Sequence, residues 1–147
     1  MEAEPYVIKL QTHRNESLFG EVIDGRMALN AIGHIVSEEW LNAARSHRDV
    51  QLDQWVVMPT YIRGIVLLPA LKKEAGHTSV ISSTSAKPRL LTAFVAGFKA
   101  AAAKRINLQR NQPGLSVWQR SYSETLIPDE TTLKRIRLQL CEQGELR

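Results

Sequence analysis

The sequence predicts an α+β fold: a ferredoxin-like antiparallel sheet with helices mainly on one face. Three observations carry the expectation. Segments of alternating apolar and polar residues interleave with segments of helical periodicity. With one hairpin set aside, their order is β-α-β-β-α-β, followed by an extra C-terminal helix. The chain of 147 residues, 44% hydrophobic and 23% charged, is long and apolar enough to bury one core without disulfides. One domain over 1–147 is expected.

Tyr6 to Thr12 alternates apolar and polar side chains and predicts the first strand. Leu18 to Asn30 predicts a hairpin with arms Phe19–Ile23 and Arg26–Leu29, turned by Asp24-Gly25, residue types that tolerate positive φ. Asn30 can cap the helix that follows, in which Ile32, Ile35, Val36, Trp40 and Leu41 form one apolar stripe. Gln51–Met58 and Tyr61–Leu68 predict two strands, broken by Pro59-Thr60 and paired antiparallel. The stretch 69–88, with Lys72-Lys73, Gly76 and Ser82-Ser83-Thr84-Ser85, reads as a mobile loop. Leu90 to Leu108 predicts a helix with Leu91, Phe94, Val95, Phe98, Ala102 and Ile106 on one face. Pro113-Gly114 is a turn, Val117-Trp118 and Tyr122–Ile127 give a short last strand, and Glu130–Gln143 a last helix with Leu133, Ile136 and Leu140 inward.

Charge and composition narrow the function classes. Residues 1–86 hold 8 Lys/Arg against 10 Asp/Glu, and residues 87–147 hold 11 against 5, so the two parts carry −2 and +6. A basic half favours a polyanionic partner, nucleic acid first, although a solvated helix face gives the same charge count. No apolar run reaches the roughly 20 residues of a membrane helix. The acidic start Met1-Glu2-Ala3-Glu4-Pro5 is no signal peptide, and one Cys fits a reducing cytoplasm. His13, His34, His47 and His77 are scattered, none at the spacing of a ligand pair, and Cys141 has no evident base.

Four blocks together resemble the REP-associated tyrosine transposases of the HUH superfamily. They are Leu18–Asn30 with Gly33, Ile35-Val36 and Trp40; Leu52–Pro59 with Gly64-Ile65-Val66; Gly97-Phe98-Lys99 with Arg105-Ile106-Asn107; and Val117–Tyr122 with Asp129-Glu130 and Arg135-Ile136-Arg137. The resemblance spans nearly the whole chain outside 69–88. It implies cutting of single-stranded DNA beside a hairpin, a tyrosine nucleophile forming a 5′-phosphotyrosine, and a His-hydrophobic-His pair holding Mg²⁺ or Mn²⁺. Alternate strand positions put two such His on one face, about 7 Å apart. The phenol, of free pKa about 10, and the scissile phosphate both need such activation.

This chain departs at each of those positions. The family motif Met-Pro-Asn-His-hydrophobic-His-Gly is here Met58-Pro59-Thr60-Tyr61-Ile62-Arg63-Gly64. Arg63 has no lone pair to offer a metal, but its fork can grip a phosphate. The family tyrosine falls on Gln139, and Gln143 stands where the resemblance implies a third metal contact. The site is therefore expected to bind no metal, with Tyr61, Arg63 and Gln139 converging on one pocket. Arg63, Lys99, Lys104, Arg105, Arg110, Arg120, Lys134 and Arg137 are the expected DNA-contacting residues. The expectation is a cytoplasmic protein, monomer or homodimer, that binds single-stranded or hairpin DNA in DNA transposition or a derived role, without cleavage. Two alternatives stay open: an active enzyme using Tyr61 or Tyr122 with an unusual ligand set, and a remnant with no selected activity.

Overall fold

The computed structural model describes residues 3–69 and 80–145, with side chains described for all of these except 80–88 and 144–145. The first strand, β1, is Ala3–Gln11, and a 3₁₀ turn at His13–Asn15 follows it. The hairpin forms as β2, Gly20–Ile23, and β3, Arg26–Leu29. Asp24 and Gly25 both take positive φ, 52° and 76°, as a two-residue turn of this hand requires. The first helix, α1, is Ala31–Ser46. Its cap is Asn30, whose Oδ1 accepts from the Gly33 N–H at 2.8 Å while its Nδ2 donates to the Leu18 carbonyl at 3.0 Å, tying helix to hairpin.

Strands β4, Gln51–Met58, and β5, Tyr61–Pro69, pair antiparallel with an irregularity between Leu52 and Trp55. The second helix, α2, is Val80–Gln109. This corrects the loop expected over 69–88: Pro69 closes β5, 80–88 are helical, and 70–79 lie outside the described residues. Pro88 lacks an N–H and disfavours a helix interior, so it placed the expected start too late. The strand expected over Tyr122–Ile127 contracts to β6, Ser123–Leu126, while Trp118 makes an isolated bridge to Thr12. The last helix, α3, is Glu130–Glu145.

The main sheet runs β4-β5-β1-β6, every neighbour antiparallel, which is the ferredoxin-like order. Strand alternation gives it two different faces. Ile8, Leu10, Ile62, Val66 and Leu68 point to one face and are buried with Trp40 of α1 and Phe94 and Phe98 of α2. Val56, Met58 and Ile65 point to the other, beneath Leu133, Ile136 and Leu140 of α3. Two helices thus cover one face, and α3 crosses the opposite one. Among the described residues no helix is long and apolar enough to cross a membrane.

Candidate nucleic-acid interface

The face under α3 carries the positions singled out in the sequence. Met58 lies opposite Tyr61, and Val56 opposite Arg63. On the other side of β5, Gln11 opposes Tyr61 and Lys9 opposes Arg63. Lys9 in turn opposes Ser123, and Val7 opposes Thr125, on β6. Directly paired residues share a face, so Gln11, Lys9, Arg63, Ser123 and Thr125 lie on the same side as Ile65. Around Val56, Met58 and Ile65 this face is apolar and covered by α3, whereas the β1–β6 side is polar and partly open. Lys9, Gln11 and Arg63 are half-buried; Ser123 and Thr125 are exposed.

At the boundary sits Tyr61. Its hydroxyl oxygen accepts a hydrogen bond from Gln143 Nε2 at 3.0 Å, and the Lys9 ammonium lies 4.4 Å from its ring centroid. The second contact is a cation–π interaction that fixes the Lys9 head over the ring. Arg63 has no hydrogen-bond or ion-pair partner among the described residues. Two basic side chains therefore stand directly opposite one another with no carboxylate between them, an arrangement that costs stability in a sheet.

The expected convergence is only partly met. Tyr61 and Arg63 share the face, but Gln139 is exposed on α3, and Gln143, one turn later, is the residue that reaches Tyr61. A residue four positions along a helix lies on nearly the same side but further down the axis, which is how the neighbour comes to fill the position. Gln143 Oε1 is buried without a hydrogen-bond partner among the described residues. That single amide oxygen and one phenol do not fit Mg²⁺ or Mn²⁺, which take oxygen-rich sets with carboxylate or imidazole ligands. Lys9 and Arg63 beside them would repel a cation. Among the described residues no group of three or more His, Cys, Asp or Glu could hold a metal.

The basic residues of the C-terminal half divide into two kinds. Arg105 of α2 donates to Glu38 and Glu39 of α1, each at 2.9 Å, and so bolts the two helices together. Arg110 donates to Asn107 Oδ1 and the Ser116 carbonyl. Lys99 Nζ donates to the Gln119 and Arg120 carbonyls at 2.9 and 3.3 Å, and burial pulls its pKa down. Lys104, Arg120, Lys134 and Arg135 are exposed instead.

Arg137 belongs to the first kind. It grips Asp53 of β4 through Nε–Oδ1 at 2.9 Å and Nη2–Oδ2 at 2.8 Å. The hydrogen bonds from Arg137, first, hold the Asp53 carboxyl below the usual carboxylate range. The pair fastens α3 over the sheet. Arg137 is 41% exposed, which limits its worth to about 1 kcal/mol. Because the folded pKa is lowered, this stabilisation is present above the unfolded value near 4 and is lost as pH falls through the folded one. Thermal unfolding of Asp53→Asn should show that deficit at pH 7, narrowing below about pH 4.

Nothing local in the sequence distinguishes Lys9 as a site residue. It is one polar position of an alternating strand, and only the pairing of β1 with β5 sets it opposite Arg63.

No family model matches the chain. An uncharacterized protein of Haemophilus influenzae Rd is 28% identical over 136 residues, covering 89% of this chain and 74% of that one. Among solved structures, a REP-associated tyrosine transposase bound to a REP hairpin superposes with a TM-score of 0.55 at 12% identity, over 97% of this chain and 67% of that one. A Deinococcus radiodurans R1 protein assigned as a transposase gives 0.54 at 18% identity, over 100% and 95%. At these identities the likeness shows the fold, which this chain shares with those transposases.

Proposed function

We propose that the chain is a transposase-fold DNA-binding protein that engages single-stranded or hairpin DNA, in DNA transposition or a role derived from it, without cleaving the strand. The observation that carries the reading is the open polar half of the sheet face beside α3, where Lys9 and Arg63 stand without a carboxylate partner. The structural likeness to a transposase bound to a REP hairpin supports it. Exposed Lys104, Arg120 and Lys134 are available for further phosphate contacts elsewhere on the molecule, whereas Lys99, Arg105, Arg110 and Arg137 hold the fold. The protein acts in the cytoplasm, as a monomer or homodimer, without a divalent cofactor.

Cleavage by a relocated tyrosine has little support. Tyr61 accepts from an amide N–H, which is a donor and not a base. Tyr122 packs against the α1–α2 core, where burial first, and its hydrogen bond to Glu124 next, push its phenol pKa up, against nucleophile formation.

Labelled hairpin single-stranded DNA, titrated across a salt series with and without Mg²⁺ or Mn²⁺, tests the reading. Binding should weaken linearly in log[salt], and a denaturing gel should show no covalent adduct. An adduct would overturn the non-cleaving part, and no binding even at low salt would overturn the whole.

A further inference from the structure

We infer that Lys9 and Arg63 form a metal-independent clamp for one phosphate of a nucleic-acid backbone, replacing a divalent ion with two side-chain cations. The inference rests on the DNA-binding reading and gives it a seat. Both residues are half-buried on adjacent strands and directly opposed, so their Cβ atoms lie about 5 Å apart. The Tyr61 ring holds the Lys9 ammonium at 4.4 Å, and Gln143 holds Tyr61 through its hydroxyl at 3.0 Å. Arg63 has no partner among the described residues, which leaves its donor fork available for two oxygens of one phosphate.

The rest of the strip suits the same ligand. Ser123, paired with Lys9, and Thr125, two positions along β6, add neutral hydroxyl donors on the same side, and no acidic residue is paired into this part of the face. A like-charged pair opposed in a sheet is a defect for folding alone, and an anion seated between the two removes it. The clamp carries little base information, because phosphate oxygens are the same at every step. It therefore sets the position of the strand on the sheet and leaves sequence preference to other contacts.

The test uses the full chain, the hairpin DNA described above and EDTA throughout. Lys9→Ala and Arg63→Ala should each weaken binding about tenfold, the scale of a lost hydrogen bond to a charged group. Arg63→Ala should also flatten the slope of log K against log[salt] by about 0.7, one single-strand phosphate contact. Arg63→Lys should recover only part of the affinity, because it keeps the charge but loses the fork. Arg48→Ala, an exposed charge beyond the end of α1, should bind as wild type.

A thermal shift with inorganic phosphate reads the same seat without DNA. The wild-type melting temperature should rise with phosphate, and the Lys9→Ala/Arg63→Ala double variant should fold yet lose that rise. Wild-type DNA binding that both single variants retain within twofold would overturn the clamp while leaving the DNA-binding reading standing. Loss of wild-type binding in EDTA would overturn its metal independence. A wild type that binds no hairpin at low salt would overturn clamp and reading together.

Discussion

Replacing Trp40 by Ala should cost about 3–5 kcal/mol, the range for truncating a large buried aromatic. Trp40 is fully buried, and three rings surround it. Phe94 and Phe98 stand edge-on at centroid distances of 5.3 and 5.2 Å, and Trp55 lies tilted at 6.3 Å. The indole thus joins α1, α2 and the sheet at one point, and its loss leaves a cavity that three different elements would have to collapse together to fill. Against a typical domain stability of about 5–15 kcal/mol, that loss is a large share. Urea unfolding followed by far-UV circular dichroism should show the transition midpoint falling sharply. Trp40→Phe should cost less than half as much. It keeps an aromatic body and removes an indole N–H that is buried without a hydrogen-bond partner among the described residues. A Trp40→Ala variant within 1 kcal/mol of wild type would sink this account of the core.

Gly64→Val should be nearly as damaging, about 3 kcal/mol, through overpacking rather than a cavity. A Cβ at position 64 would stand 2.7 Å from Trp55 Cβ, 3.0 Å from Trp40 Cζ2 and 3.4 Å from Trp55 Cα. Two of these atoms belong to a neighbouring strand's Trp55, at the place where the β4–β5 register shifts, so the backbone itself must move. Gly64 also follows Arg63, and any displacement of β5 there disturbs the Lys9–Arg63 opposition. The variant should therefore melt earlier and bind hairpin DNA more weakly, and both can be read on one preparation. Unchanged melting would show that the two tryptophans yield more easily than their packing implies.

How legible the molecule is in its sequence depends on how local each determinant is. The hairpin, α1 with its Asn30 cap, and β4 are readable because turn residues, a cap and alternation act within a few positions. The start of α2 is not, because Pro88 argues for a boundary that the helix runs through. In the site, Tyr61 and Arg63 are readable from a motif, but their partners are not. Gln143 and Lys9 arrive through the docking of α3 and the pairing of β1. The same limit explains the basic residues. Arg105 and Arg137 count as free positive charge in a linear tally, but Glu38, Glu39 and Asp53 on other elements have already claimed them.

The place of β1 between β5 and β6 bears on how the chain folds as well as on what it binds. One edge of β1 is satisfied by residues 61–69, the other by residues 123–126 together with backbone N–H groups of Gln119 and Ile127. In a chain emerging from its N-terminus, the central strand keeps a bare row of N–H and C=O groups until almost the whole polypeptide has been made. Such a row is a template for pairing with another molecule. The four residues of β6, short, exposed and carrying Glu124, close it with a strand that is itself a poor template. A small strand with no fully buried residue thus serves as the guard against edge-to-edge association, and the sheet stays vulnerable for as long as it is missing.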